Sequence, residues 1–139
     1  MPIAYTAHAT STGGRDGRGK TDDGKLDLAL SLPTEMGGDN KGTNPEQLFA
    51  VGYSACYLGA IRFVAGKEKV TITPDAAVTA HVGVGPREDG GGFGIEVALD
   101  VLLPGVSKAV AEDIAAKAHV VCPYSHATKG NIKVTTKIV

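Results

Sequence analysis

Tryptophan is absent from this chain of 139 residues, cysteine occurs twice, and neither sign of charge prevails, with 14 Lys and Arg against 15 Asp and Glu. The charges are dispersed, which excludes the one-signed patch that a nucleic acid or a charged membrane surface would recognise. Long hydrophobic runs are read as falling short of a membrane span, and the opening MPIAYTAHAT has no signal-peptide pattern. A cytoplasmic protein without a membrane partner is therefore expected. In a reducing compartment two cysteines 66 positions apart, Cys56 and Cys122, argue against a structural disulfide and for redox chemistry or metal. Internal repeats and linkers are also missing. The length suits one core, so a single domain over residues 1–139 is expected.

Glycine is plentiful by contrast. Many of its 19 copies cluster at 13–19, 37–42 and 83–94, where they punctuate the elements between them. The chain is organised around residues 43–69, TNPEQLFAVGYSACYLGAIRFVAGKEK. Asn44 is a helix cap, Pro45 suits the first helical position, and Gln47 stands three after the cap. The residues that follow are apolar on nearly every side until Gly66, the expected C-cap, and such a helix belongs inside. One small sheet covers only one of its sides. A second copy of the chain is the expected cover for the other, making a homodimer.

Elsewhere the period is two. Ile3, Tyr5, Ala7 and Ala9 suggest a weak first strand, followed by the loop STGGRDGRGKTDDG; Leu26, Leu28, Leu30 and Leu32 give a second strand, stopped by Pro33. Val78 to Val84 and Phe93 to Val101 alternate on either side of the hairpin segment PREDGGG. Ser107 caps a helix with a stripe of Val110, Ile114, Ala118 and Val121, which ends at Cys122-Pro123 in a polar turn. NIKVTTKIV is the last strand. The expected fold is α+β, with mainly antiparallel sheets and two main helices.

Cys56 lies midway along the central helix, with Gly52 one turn before and Ala60 one turn after, leaving room for a chain segment or a substrate beside the sulfur. A thiol in such a setting is as readily a small hydrophobe as a nucleophile. Cys122, at the negative end of a helix dipole, is in the poorer position for a thiolate but suits a resolving thiol. Cys56 is too far along its helix for an N-terminal dipole to help, so its activation has to come from a cation. Arg62 and Lys67 are wrongly spaced; Arg15 and Arg18 are in a loop that glycines allow to fold over. Glu46 stands ten residues before Cys56, roughly 80° away around the axis, and an arginine reaching that face can pair with it. An alternative is zinc held by His119, Cys122, His126 and Cys56, although the spacing matches no strong zinc signature. A third is an inert dimeric scaffold. His8 and His81 read as surface or structural groups, and no phosphate loop, catalytic triad or dinucleotide fingerprint is present.

Taken together, GGRDGR, TNPEQLFAVGYSACYLGA and AHVVCPYSHATKGN strongly resemble the organic hydroperoxide resistance proteins of the Ohr/OsmC superfamily. The resemblance implies an OsmC-like intertwined homodimer with two active sites, acting as an antioxidant thiol peroxidase on organic hydroperoxides, fatty-acid hydroperoxides included, in the response to oxidative stress. It implies Cys56 as the peroxidatic and Cys122 as the resolving cysteine, joined in a redox-active disulfide. Arg15 would be the activating arginine and Glu46 its partner. No cofactor or metal is implied. The reductant would be dihydrolipoamide or a lipoylated protein. Leu58, Phe63, Phe93 and Tyr124 are candidates for an alkyl-chain pocket. His126 departs from the family, which commonly has Asn there.

Overall fold

A computed structural model describes residues 1–139, as two compact units, Met1–Leu48 and Phe49–Val139. The first is built on an antiparallel sheet of β1 (Ala9–Thr12), β2 (Gly17–Thr21) and β3 (Asp27–Leu30), in that order. The expected strand over Ile3–Ala9 is not formed, and two strands instead occupy much of what reads as a Gly-rich loop. The glycines make a turn possible there. Gly13 and Gly14 take positive φ, the Asp16 N–H donates to the Gly13 carbonyl at 3.2 Å, and Thr12 pairs with Arg18 across the ladder. A Cβ at Gly17 would strike the Thr12 carbonyl oxygen, so the close crossing of the two strands requires glycine. Of the four alternating leucines, Leu28 and Leu30 fall inside β3; Leu30 is buried and Leu26 exposed. A single 3-10 turn, Thr34–Met36, follows Pro33.

Helix α1 (Pro45–Lys67) begins as its sequence predicts. Asn44 is buried, and its Oδ1 accepts the Gln47 N–H at 2.9 Å. It continues through Gly66, contrary to expectation. The left-handed turn falls on Lys69, where the Val70 N–H closes on the Ala65 carbonyl at 2.9 Å.

In the second unit β4 (Ala77–Pro86) and β5 (Phe93–Leu102) form a hairpin in register from Ala77↔Leu102 to Pro86↔Phe93. The chain then crosses through α2 (Lys108–Val121) and α3 (Pro123–Thr128) to β6 (Val134–Ile138), which pairs with β5. That pairing is parallel, because a helical crossover returns the chain in the same direction. The core joins Tyr53, Tyr57 and Ile61 of α1 to Val97, Leu99 and Val101 of β5 and to Ile114 and Ala118 of α2. One face of α1 is thus buried, while Val51 and Phe63 keep 68% and 52% of their surface. Counted by length and composition, α1 is also apolar enough to cross a bilayer, which corrects the reading that no stretch is. Its fully buried tyrosines show that it serves as a core helix here.

Candidate functional site

Two pairs of side chains foreseen in the sequence are formed, one in each unit. In the first unit Arg15 projects from the β1–β2 turn and meets Glu46, in the opening turn of α1. Arg15 Nη1 donates to Glu46 Oε2 at 2.8 Å and Nη2 to Oε1 at 2.7 Å, a bidentate fork. Arg18, the other arginine of the loop, is bound instead to Asp27 at 2.6 Å. The Arg15 hydrogen bonds hold the Glu46 carboxyl below its ordinary value against the opposing effect of burial, and the same bonds raise the Arg15 guanidinium. Because the folded carboxyl titrates below the unfolded one, the pair's stabilisation is complete above the ordinary value of 4.5 and is lost as pH falls through the lowered one. Glu46→Gln should therefore lower the urea midpoint at neutral pH, with a difference from wild type that shrinks in the acid range. An equal difference at both pH values would show that the ion pair contributes nothing.

In the second unit Cys122 Sγ stands 3.5 Å from Cys56 Sγ, within hydrogen-bond reach of it. Cys122 is fully buried and Cys56 partly so. Burial pushes the Cys56 thiol up, the backbone at Tyr124 pulls the other way, and the neighbouring Cys122 adds to the rise. The junction that presents Cys122 follows from its sequence. Cys122 is extended (φ −68, ψ 120); it ends α2 by donating its N–H to Ala118 at 2.8 Å and begins α3, where its Sγ accepts the Ser125 N–H at 3.5 Å. Pro123 lacks an N–H and suits the first helical position. The expectation of a plain turn after Cys122 is thus corrected: this residue stands between two helices, so its reading as only a helix C-terminus is incomplete. The space left by Gly52 is taken by Tyr124, whose hydroxyl would lie 3.0 Å from a Cβ at that position. Phe49, Tyr53 and Tyr124 pack with ring centroids 5.7 to 5.9 Å apart. Phe93 is 74% exposed in this chain.

The remaining cations of α1 are engaged elsewhere. Arg62 donates to the Ile72 and Thr73 carbonyls, and Lys67 lies 4.7 Å from the centroid of Phe63. Within this chain no three His, Cys, Asp or Glu side chains converge in the arrangement that the zinc alternative needs. His119 is turned to two hydroxyls instead, with Nδ1 2.7 Å from Ser125 Oγ and Nε2 2.7 Å from Thr136 Oγ1. Its ring stacks on Tyr57 at 4.5 Å. His81, on β4, is bound to Asp100 at 2.9 Å.

The family described as OsmC-like protein matches residues 38–137. An organic hydroperoxide resistance protein of Xanthomonas axonopodis pv. citri is 51% identical over 134 residues, covering 96% of this chain and 93% of its own. An uncharacterised protein of Acinetobacter baylyi is 56% identical, covering 99% and 94%. The crystal structure of an organic hydroperoxide resistance protein from Elizabethkingia anophelis is 47% identical and superposes with a TM-score of 0.92, covering 99% of this chain and 98% of that one.

Proposed function

Because this chain belongs to the OsmC-like family, and within it to the organic hydroperoxide resistance proteins, we propose that it defends the cell against oxidative stress by reducing organic hydroperoxides, fatty-acid hydroperoxides included, to alcohols. The observation that carries this reading is the pair of unbonded sulfurs of Cys56 and Cys122 at 3.5 Å. Two thiols at that distance suit a nucleophile and its resolver.

In the proposed cycle Arg15 lends its charge to the Cys56 thiolate and orients the peroxide, and Glu46 fixes the guanidinium. A cation is needed because burial alone favours the protonated thiol. The thiolate attacks the outer peroxide oxygen, the O–O bond breaks, and the alkoxide leaves as the alcohol after taking a proton. Cys56 becomes a sulfenic acid. The Cys122 sulfur then attacks that sulfur, forming a disulfide and releasing water. A dihydrolipoyl-type dithiol, free or on a lipoylated protein, reopens the disulfide by exchange. We place the protein in the cytoplasm, soluble and acting as a single-domain subunit of a homodimer; the exposed Val51 and Phe63 of α1 support a second copy as the cover for that helix.

The direct test is peroxide consumption with dihydrolipoamide as reductant, comparing tert-butyl and lipid hydroperoxides with hydrogen peroxide. Preference for the organic substrates is expected. Reduced protein that consumes none of them would overturn the reading in favour of an inert scaffold.

A further inference from the structure

The thiol pair is backed by a set of buried polar groups whose hydrogens can be placed by counting donors. Ser125 is 5% exposed and Thr128 7%, and Tyr53 is fully buried. Thr128 Oγ1 gives its only hydrogen to the Ser125 carbonyl at 3.2 Å, so in its 3.1 Å contact with Tyr53 it accepts from the phenol. The Tyr53 hydrogen being used, its 2.9 Å contact with Ser125 Oγ takes its hydrogen from Ser125. Ser125 Oγ then has nothing left to donate and accepts from His119 Nδ1–H at 2.7 Å. This fixes the tautomer: His119 Nε2 accepts from Thr136 Oγ1 at 2.7 Å. Burial, which lowers the imidazole's basicity, favours the same neutral form. One directed chain therefore runs Thr136 → His119 → Ser125 → Tyr53 → Thr128, from β6 through α2, α3 and α1 and back to α3.

Its middle member, Ser125, is also the residue whose backbone N–H donates to Cys122 Sγ. We infer that His119 is a positioning residue for Cys122: by holding Ser125 Oγ against Tyr53 and anchoring it to β6, it fixes the α2–α3 corner so that Cys122 Sγ stays within closing distance of Cys56. The need for such a fixture is geometric. A disulfide requires the sulfurs to close from 3.5 Å to about 2.05 Å. Cys56 is in mid-helix, so the corner carrying Cys122 sets the encounter. That Cys122 resolves a sulfenic acid rests on the proposed function; that His119 governs closure of the pair does not.

The experiment separates the two by closing the disulfide with diamide, which takes two electrons and two protons from the thiols and needs no peroxidase chemistry. His119→Phe keeps a ring against Tyr57 without hydrogen bonds, while His119→Asn retains a donor for Ser125. Closure in the Phe variant should be slowed about tenfold, as displacement of a reacting group by a fraction of an ångström does. The Asn variant should recover most of that loss. Single-turnover oxidation of Cys56 by an organic hydroperoxide should be unchanged in both. A folded Phe variant that closes at the wild-type rate overturns the inference. Should that variant not fold, Thr136→Val, which removes only the outermost link at an exposed position, decides it. Slowing of about two- to tenfold, the weight of one neutral hydrogen bond, upholds the inference and none overturns it. A wild type that closes with diamide yet reduces no organic hydroperoxide would sink the peroxidase reading and leave the positioning of Cys122 standing.

Discussion

Cys56→Ser should abolish turnover of organic hydroperoxides, lowering the rate on the order of 10³-fold or more, whereas Cys122→Ser should still reduce one equivalent per chain but complete no second catalytic cycle. The asymmetry follows from the chemistry assigned to each sulfur. Removing Cys56 removes the atom proposed to attack the peroxide, and Cys122, fully buried, has no surface at which a substrate could replace it. Removing Cys122 leaves the attack intact but takes away the thiol at 3.5 Å that would trap the sulfenic acid. The stranded sulfenic acid is then open to a second peroxide, so sulfinic and sulfonic forms of Cys56 should accumulate in the Cys122→Ser protein. Mass spectrometry after stoichiometric and excess peroxide reads both outcomes. Multiple turnovers by Cys122→Ser with a dithiol reductant, without over-oxidation, would show that resolution does not depend on Cys122.

Arg15→Ala should lower kcat/KM for tert-butyl hydroperoxide by about 10²- to 10³-fold, the usual weight of a fixed charge-stabilising donor, with the fold retained. The pH at which Cys56 becomes alkylated by iodoacetamide should rise in parallel, because burial already pushes that thiol up and the arginine is proposed to oppose it. Arg15→Lys should recover little of the rate. A lysine provides the charge but not the planar fork that meets both Glu46 oxygens at 2.7 and 2.8 Å. Glu46→Gln, which leaves the charge but loosens its hold, should fall between wild type and Arg15→Ala. Unchanged kinetics and alkylation in Arg15→Ala would remove the arginine from the mechanism.

The elements that sequence reasoning placed well are those whose signal is local. The Asn44-Pro45 start of α1, the Ser107 cap of α2 and the long alternation of β4 and β5 each depend on neighbours within a few positions. The misplaced elements depend on partners further off. β1 and β2 carry mostly polar and glycine residues and are strands because the Gly13-Gly14 turn pairs them, not because either has an apolar face. α3 is a six-residue helix started by a cysteine and a proline, a signal easily read as a turn. The parallel register of β6 becomes apparent only when both helices before it are counted as a crossover. At the site, the Arg15–Glu46 pair was foreseeable as one of two arginines reaching for a carboxylate, and the structure distinguishes Arg15 from Arg18. His119 stands out in the sequence only as a zinc ligand type. Nothing in its immediate sequence indicates the hydroxyls of Ser125 and Thr136, one of which comes from a strand 17 positions away.

The parallel seam between β5 and β6 also bears on when the thiols come together as the chain folds. The β4–β5 hairpin closes across a short turn, but β6 can pair with β5 only after α2 and α3 have formed and doubled back. Contacts of such long sequence separation are slow to form. Thr136 arrives with β6, so His119 gains its outer anchor late and the Cys122 corner tightens late with it. Early on the pathway the two cysteines are expected to be loosely related and open to outside thiols, and to prefer each other only once the seam has closed. Pulsed alkylation during refolding would show this as Cys122 protection appearing together with, and not before, the β6 amides; earlier protection would mean that the corner forms by itself.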